Sequence, residues 1–83
     1  MVSARGQPET RQAQLNLGVK YRNGEGTPQD FVEAHMWANL AASQLSGDDR
    51  DRAAENRDDV AGRMTAEQIA EAQRRARERT PEP

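Results

Sequence analysis

The side chains that could take part in catalysis or metal binding are few and lie far apart in the sequence. His35 is the only histidine, and Asn39, one helical turn later, is a poor metal ligand. The serines Ser3, Ser43 and Ser46 have no base near them in the sequence that could activate a hydroxyl group. The sequence therefore predicts no metal site and no catalytic residue, and we expect His35 to lie at the surface or at its boundary with the core.

Three further stretches carry groups that could bind an ion or a nucleic acid. The Gly-Glu-Gly sequence at 24–26 lacks the Gly-Lys-Ser/Thr of a phosphate-binding loop, so it indicates a turn. Asp48, Asp49 and Asp51 lack the pattern of a calcium loop and are typical of a helix start, where carboxylates complement the helix dipole. The arginines near the C-terminus alternate with glutamates and have no aromatic neighbour to stack on bases; they are Arg74, Arg75, Arg77 and Arg79. Stabilisation of a helix end explains them better than nucleic-acid binding.

The composition is that of one small, highly charged domain. The chain has 83 residues, of which 31% are charged, and a formal net charge of only −2. This mixture of signs gives no reason to expect a nucleic acid or an anionic membrane as a partner. The absence of cysteine excludes disulfides and thiolate metal sites. The apolar runs are too short for a membrane-spanning helix or a secretory signal, which favours a cytoplasmic location, with an exported parent protein as the alternative.

Apolar residues recur at helical spacing along most of the chain, which predicts four helices and no strand. Gly24 and Gly26 permit a sharp reversal after the first helix, and Pro28 cannot continue that helix. Ser46 and Gly47 are expected to end the second helix. The predicted helices span about residues 10–23, 28–45, 49–63 and 65–79.

Two capping boxes mark the starts of the second and fourth helices. Asp30 with Glu33, and Thr65 with Gln68, have the residue types and the spacing that satisfy the free amides of a helix start. The inner face of the fourth helix is expected to carry Ile69, Ala70, Gln73 and Ala76.

A denser pattern lies in residues 13–42. It consists of an alanine and then Leu-Gly and Tyr, a Gly-x-Gly turn, an acidic residue that opens the second helix, and then Ala, Trp and paired Ala. The residues are Ala13, Leu17, Gly18, Tyr21, Gly24, Gly26, Asp30, Ala34, Trp37, Ala41 and Ala42. At these positions, over about a third of the chain, the sequence resembles one Sel-one-like repeat, a relative of the tetratricopeptide repeat. Residues 57–70 are similar to segments that follow the last repeat in bacterial members of that family.

The resemblance implies an all-α fold in which α-α hairpins stack as a short solenoid. Residues 1–9 are then a flexible N-terminal lead, 10–46 the Sel-one-like hairpin, 47–79 a C-terminal capping hairpin and 80–83 a tail. Gly18 is expected to face the neighbouring helix, where any side chain would hold the two backbones apart. Only one repeat is visible, although repeat proteins usually need three or more. The last hairpin therefore caps the repeat, or copies associate, or the chain is the end of a longer protein.

The first helix carries a second apolar pair, Leu15 and Val19, beside its inner face, which widens its buried surface beyond one stripe. By resemblance, the residues that would face the concave groove of the fold and bind a partner are Gln12, Leu15, Asn16, Val19, Arg22 and Asn23. Packing of the apolar pair under the third or fourth helix of the same chain is an equal alternative, and self-association is a third use of the same surface.

The function that follows from the resemblance is protein–protein interaction, without enzymatic activity and without a cofactor. The chain would be an adaptor or scaffold that presents this groove to a protein or peptide, with Leu15 and Val19 in apolar contact and the polar residues in hydrogen bonds. If so, Leu15→Asp combined with Val19→Asp abolishes partner binding without unfolding the chain. The alternative function is a self-assembling structural protein, with Trp37 and the same apolar pair at an interface between copies.

Overall fold

The computed structural model describes residues 11–79, which form four helices. They are α1 (Arg11–Asn23), α2 (Phe31–Gln44), α3 (Gly47–Ala61) and α4 (Ala66–Arg79). No strand occurs in this part of the chain, so the predicted all-α class and the predicted number of helices are confirmed. The predicted lead at 1–9 and the predicted tail at 80–83 lie outside the described residues.

The turn after α1 and the starts of α2 and α4 follow the local signals in the sequence. Gly24 takes a φ of 72°, and its amide donates to the carbonyl of Lys20 at 2.8 Å, which closes the end of α1. The amide of Glu33 donates to Oδ1 of Asp30 at 3.1 Å at the start of α2. The other half of this capping box does not form, because the amide of Asp30 donates to the carbonyl of Tyr21 and the Glu33 carboxylate binds Trp37 and Arg75. At the start of α4, the amide of Gln68 donates to Oγ1 of Thr65 at 3.1 Å, and the amide of Thr65 donates to Oε1 of Gln68 at 2.9 Å.

Helix α2 is the centre of the fold, and α1, α3 and α4 each pack against it. Its buried residues lie on several sides of the helix and are Ala34, His35, Met36, Trp37, Ala38, Leu40, Ala41 and Ala42. A helix that is apolar on several sides has to be covered on several sides. The composition of α2 therefore determines that the other helices surround it.

Helices α1 and α2 lie close together at Gly18. A Cβ atom at this position would lie 3.3 Å from the carbonyl oxygen of Ala34 and 3.3 Å from the backbone nitrogen of Ala38. The expectation that Gly18 faces the neighbouring helix is therefore confirmed. The small side chains opposite it allow the two backbones to pack at this distance.

Two apolar clusters form the core around α2. The first joins α1, α2 and α3 and consists of Leu15, Ala41, Ala42 and Ala53, with the partly buried Leu45 packed against it. The second joins α1, α2 and α4 and consists of Met36, Trp37, Leu40 and Ala76, with the partly buried Leu17 and Tyr21 packed against it.

Helices α3 and α4 do not pair along each other as the predicted capping hairpin requires. Helix α3 packs along α2 and touches α1, whereas the extensive contacts of α4 are with α2. Ala53 of α3 belongs to the first cluster and Ala76 of α4 to the second, so the apolar face of each helix is already directed towards α2.

The buried face of α4 agrees with the expected one at Ile69 and Ala76 but not at Ala70 and Gln73. Ala72 and Ala76 are buried and Ile69 is partly buried, whereas Ala70 and Gln73 are exposed. Alanines on opposite sides of this helix have the same polarity, so the sequence could not distinguish the two faces. The direction from which α2 approaches decides which alanines are covered.

Candidate functional site

Four of the residues predicted to bind a partner lie along one side of α1. Gln12, Asn16 and Asn23 are exposed, and Val19 is partly buried. They are separated by four, three and four positions, which places them on one face of the helix. We refer to these residues as the α1 stripe. Its amide groups can both donate and accept hydrogen bonds, and Val19 adds a small apolar contact.

Leu15 does not belong to this surface. Its side chain is only 2% exposed and packs with Ala41 and Ala42 of α2 and Ala53 of α3. The structure therefore corrects the hypothesis that Leu15 contacts a partner, in favour of packing within the chain. The physical reason is that α3 covers this side of α1.

Arg22 connects α1 to α3. Its Nη1 donates a hydrogen bond to Oδ1 of Asn56 on α3, and its Nε donates to Oδ1 of Asn23 at 3.2 Å. Both acceptors are neutral amides, and none of the ion pairs within residues 11–79 involves Arg22. Hydrogen bonds to two neutral amides therefore orient this partly buried guanidinium, and it forms no ion pair with a carboxylate of the described residues.

An open cleft lies beside the C-terminal ends of α1 and α3. It has a volume of about 480 Å³ and is lined by Arg22, Asn23, Gln29, Asp59 and Arg63. Nε2 of Gln29 donates to the carbonyl of Arg22 at 2.9 Å, which ties the turn to α1. Nη2 of Arg63 lies 4.0 Å from Oδ2 of Asp59, a weak contact between two exposed groups. Because every lining side chain is polar, the cleft suits groups that form hydrogen bonds rather than an apolar ligand.

The sequence indicated Arg22 and Asn23 but missed the other three residues of the cleft. Asp59 and Arg63 reach it only because α3 packs across α2 with its C-terminal end beside that of α1. No local signal marks them, since a charged pair four positions apart is ordinary on an exposed helix. The turn position of Gln29, next to the cap residue Asp30, gave an indirect signal that this side chain lies near the end of α1.

Comparisons with protein-family models, with curated proteins and with solved structures find no match to this chain. Within residues 11–79, no three His, Asp or Glu side chains are grouped so that they could hold a metal ion. None of the helices described is both long and apolar enough to cross a membrane.

His35 is a core residue and not the surface or boundary histidine that the sequence predicts. It is only 3% exposed, and its Nδ1 is buried without a hydrogen-bond partner among the described residues. Burial lowers the pKa of His35 below its ordinary value of 6.5; the nearby Arg57 lowers this pKa further, and Asp58 opposes the change.

The low pKa of His35 makes the stability of the fold depend on pH. In the unfolded chain the imidazole binds a proton near pH 6.5, whereas the folded chain resists protonation until a lower pH. The free energy of unfolding should therefore fall as the pH decreases below 6.5 and level off once the folded His35 is protonated. Urea denaturation of the wild type across this range measures the effect.

His35→Gln is the matched control for this pH dependence, because the chain has no other histidine. Its free energy of unfolding should be nearly constant between about pH 7 and pH 5, above the ordinary range of carboxylate titration. A variant that loses stability with decreasing pH as steeply as the wild type would show that His35 is not the responsible group.

Two of the four arginines of α4, Arg74 and Arg75, form ion pairs within the chain. Arg74 forms ion pairs with Glu71 at 2.6 Å and Glu78 at 2.7 Å, and Arg75 with Glu71 and Glu33, each at 2.8 Å. Hydrogen bonds from Arg74 and Arg75 hold the pKa of Glu71 below its ordinary value. These pairs are contacts within one helix and between helices, as the alternation of arginine and glutamate indicates.

Proposed function

We propose that this chain is a protein–protein interaction module, an adaptor or scaffold that presents the α1 stripe and the adjoining cleft to a protein or peptide. The observation that carries the proposal is the continuity of the two features, since Asn23 ends the stripe and also lines the cleft. Together they offer hydrogen-bonding groups along one helix and into a recess. An elongated polar surface of this kind suits a peptide segment better than a compact small molecule.

The resemblance to the Sel-one-like repeat supports the same function. In this interpretation α1 and α2 are one repeat, α3 and α4 close it, and the side between α1 and α3 corresponds to the concave groove of tetratricopeptide-like solenoids. Two features favour it: the close approach of the helices at Gly18 and the positive φ of Gly24. Both are positions that the repeat pattern assigns to glycine.

Self-assembly through the same surface is the second candidate. A core as small as this one supplies only about 3–5 kcal/mol, so a second copy would add useful stability. Trp37, which this alternative assigns to an interface between copies, is only 7% exposed and packs against Ala76, so α4 of its own chain covers it in this structure. Sedimentation velocity over a wide concentration range separates a monomeric adaptor from an assembly.

Selection from a displayed library of random peptides tests the adaptor function. We expect the folded chain to enrich a family of related peptides, and the variant that combines Asn16→Arg with Asn23→Arg to bind them at least about tenfold more weakly, which is about 1.4 kcal/mol. Both positions are exposed, so these changes should leave the fold intact. Isothermal titration with a synthetic peptide measures the two affinities.

The matched control combines Ala70→Arg with Gln73→Arg. Both of these residues are exposed on α4, and the change in net charge is the same. This variant should bind the selected peptides as tightly as the wild type. The proposal fails if no peptide family is enriched, or if the substitutions in α1 and α4 weaken binding equally.

A further inference from the structure

Helix α4 is attached to the rest of the molecule by a small contact. It packs mainly on α2, and its buried side chains are those of Ala72 and Ala76. Ile69 and Arg75 are partly buried. By contrast, α1 and α3 both pack extensively on α2 and also touch each other. Helix α4 can therefore separate from α2 without breaking the contacts among the other three helices.

The face of α2 beneath α4 carries larger apolar side chains than α4 itself. Met36, Trp37 and Leu40 are all buried there, packed with Ala76. Exposure of these residues to water would be unfavourable, so a stable state of the protein requires a helix packed on this face. If α4 leaves, another helix with the same pattern has to take its place.

Polar contacts specify which helix can cover this face. Nη1 of Arg75 lies 2.8 Å from Oε2 of Glu33, whose other oxygen accepts a hydrogen bond from Nε1 of Trp37 at 3.2 Å. The guanidinium of Arg79 lies over the Trp37 ring, 5.1 Å from its centroid. A covering helix must therefore bring two arginines four positions apart, together with a small residue such as Ala76 between them.

The connection between α3 and α4 is already close to helical. Gly62 has φ −65° and ψ −13°, and the amides of Arg63 and Met64 donate to the carbonyls of Val60 and Ala61 at 2.9 and 3.1 Å. Residues 62–65 contain no proline. A change in a few backbone dihedrals would join α3 and α4 into one continuous helix, which would carry α4 away from its own α2. The capping box of Thr65 and Gln68 is the local feature that holds the bend.

We propose that two copies of this chain exchange α4, so that each α4 covers Met36, Trp37 and Leu40 of the other copy. The occupant is a second copy because its α4 repeats every contact of the resident helix, including the pairing of Arg75 with Glu33. Exchange of an identical element is a common route to dimers, and short connections favour it. No residue of the α1 stripe or of the cleft lining belongs to this apolar contact between α2 and α4.

Charge reversal at the contact between α2 and α4 tests the exchange. Glu33→Arg places two cations against each other within one chain, and Arg75→Glu places two carboxylates there. In an exchanged heterodimer, Arg75 of the first variant lies against Glu33 of the second, and the substituted position 75 of the second lies against the substituted position 33 of the first. Each of the two contacts then joins a cation to a carboxylate. After the variants are refolded together, we expect sedimentation velocity to show a heterodimer at least tenfold tighter than either homodimer. One chain with both reversals restores the pair and controls for folding.

A refolded mixture that sediments as two folded monomers would overturn the proposal, because α4 would then remain in its own chain. The peptide selection described above does not depend on this face, so a failure here leaves the adaptor function unaffected. The reverse also holds, since loss of peptide binding says nothing about exchange of α4.

Thr65→Ala tests the hinge without altering the contact between α2 and α4. The hydroxyl of Thr65 accepts a hydrogen bond from the amide of Gln68 at 3.1 Å, and a continuous helix would not use this cap. Loss of the cap should weaken the bent form by about fivefold per hinge, so the exchanged dimer, with two hinges, should dissociate about 25-fold less readily. A folded Thr65→Ala chain that stays monomeric at every concentration would contradict the exchange, whatever the folding of the charge-reversed variants.

Discussion

Replacement of Gly18 by valine should cost about 2–4 kcal/mol of unfolding free energy, most of what a chain of this size has available. The first added atom, Cβ, would lie 3.3 Å from backbone atoms of both Ala34 and Ala38. Backbone atoms within a helix cannot rotate away, so α1 and α2 would have to move apart. That movement would loosen both apolar clusters around α2. Urea denaturation followed by circular dichroism measures the loss.

Lys20→Val is the matched control, because it introduces the same side chain at an exposed position of α1. It should cost only about 0.5 kcal/mol, the difference in helix propensity. Gly18→Ala should lie between the two variants, since a gain in helix propensity of up to about 1 kcal/mol opposes the tight contact of its Cβ. If valine costs no more at position 18 than at position 20, the close approach of the two helices is not what stabilises this fold.

The parts of the fold that the sequence predicts correctly depend on residues close together in the chain. The end of α1 requires only Gly24 and the carbonyl of Lys20, and the start of α4 requires only Thr65 and Gln68. Each of these contacts spans a few residues, so the sequence pattern contains all of its participants. Gly18 is a further success, because a glycine inside an otherwise regular helix indicates a close neighbour.

The errors concern arrangements that depend on distant residues. Helix α2 has apolar residues on several sides, so its own pattern does not specify which helix covers which side. The sequence therefore predicted a hairpin of α3 and α4 where both pack on α2, and placed His35 near the surface when it is in the core. The same reason explains the cleft, where Asp59 and Arg63 join Arg22 only through the position of α3.

Leu15→Asp and Val19→Asp, which the sequence treats as equivalent, should differ greatly in their effect on the stability of the fold. Leu15→Asp should unfold the chain, because the carboxylate would be placed among Ala41, Ala42 and Ala53, whose side chains offer it neither a hydrogen bond nor an ion pair. The expected loss is more than about 4 kcal/mol, at the limit of or beyond the total stability of so small a core. Circular dichroism should show little helix in this variant at neutral pH and 25 °C.

Val19→Asp is the matched control, since it makes the same kind of change one turn further along α1 at a partly buried position of the α1 stripe. There the carboxylate can reach water, so the loss of stability should stay near about 1 kcal/mol and the chain should remain helical. Binding of a selected peptide should nevertheless weaken, because the only apolar residue of the stripe has been replaced. A folded Leu15→Asp variant would mean that α3 does not cover this side of α1, and Leu15 would again be available to a partner. An unfolded Val19→Asp variant would place Val19 in the core and remove it from the proposed binding surface.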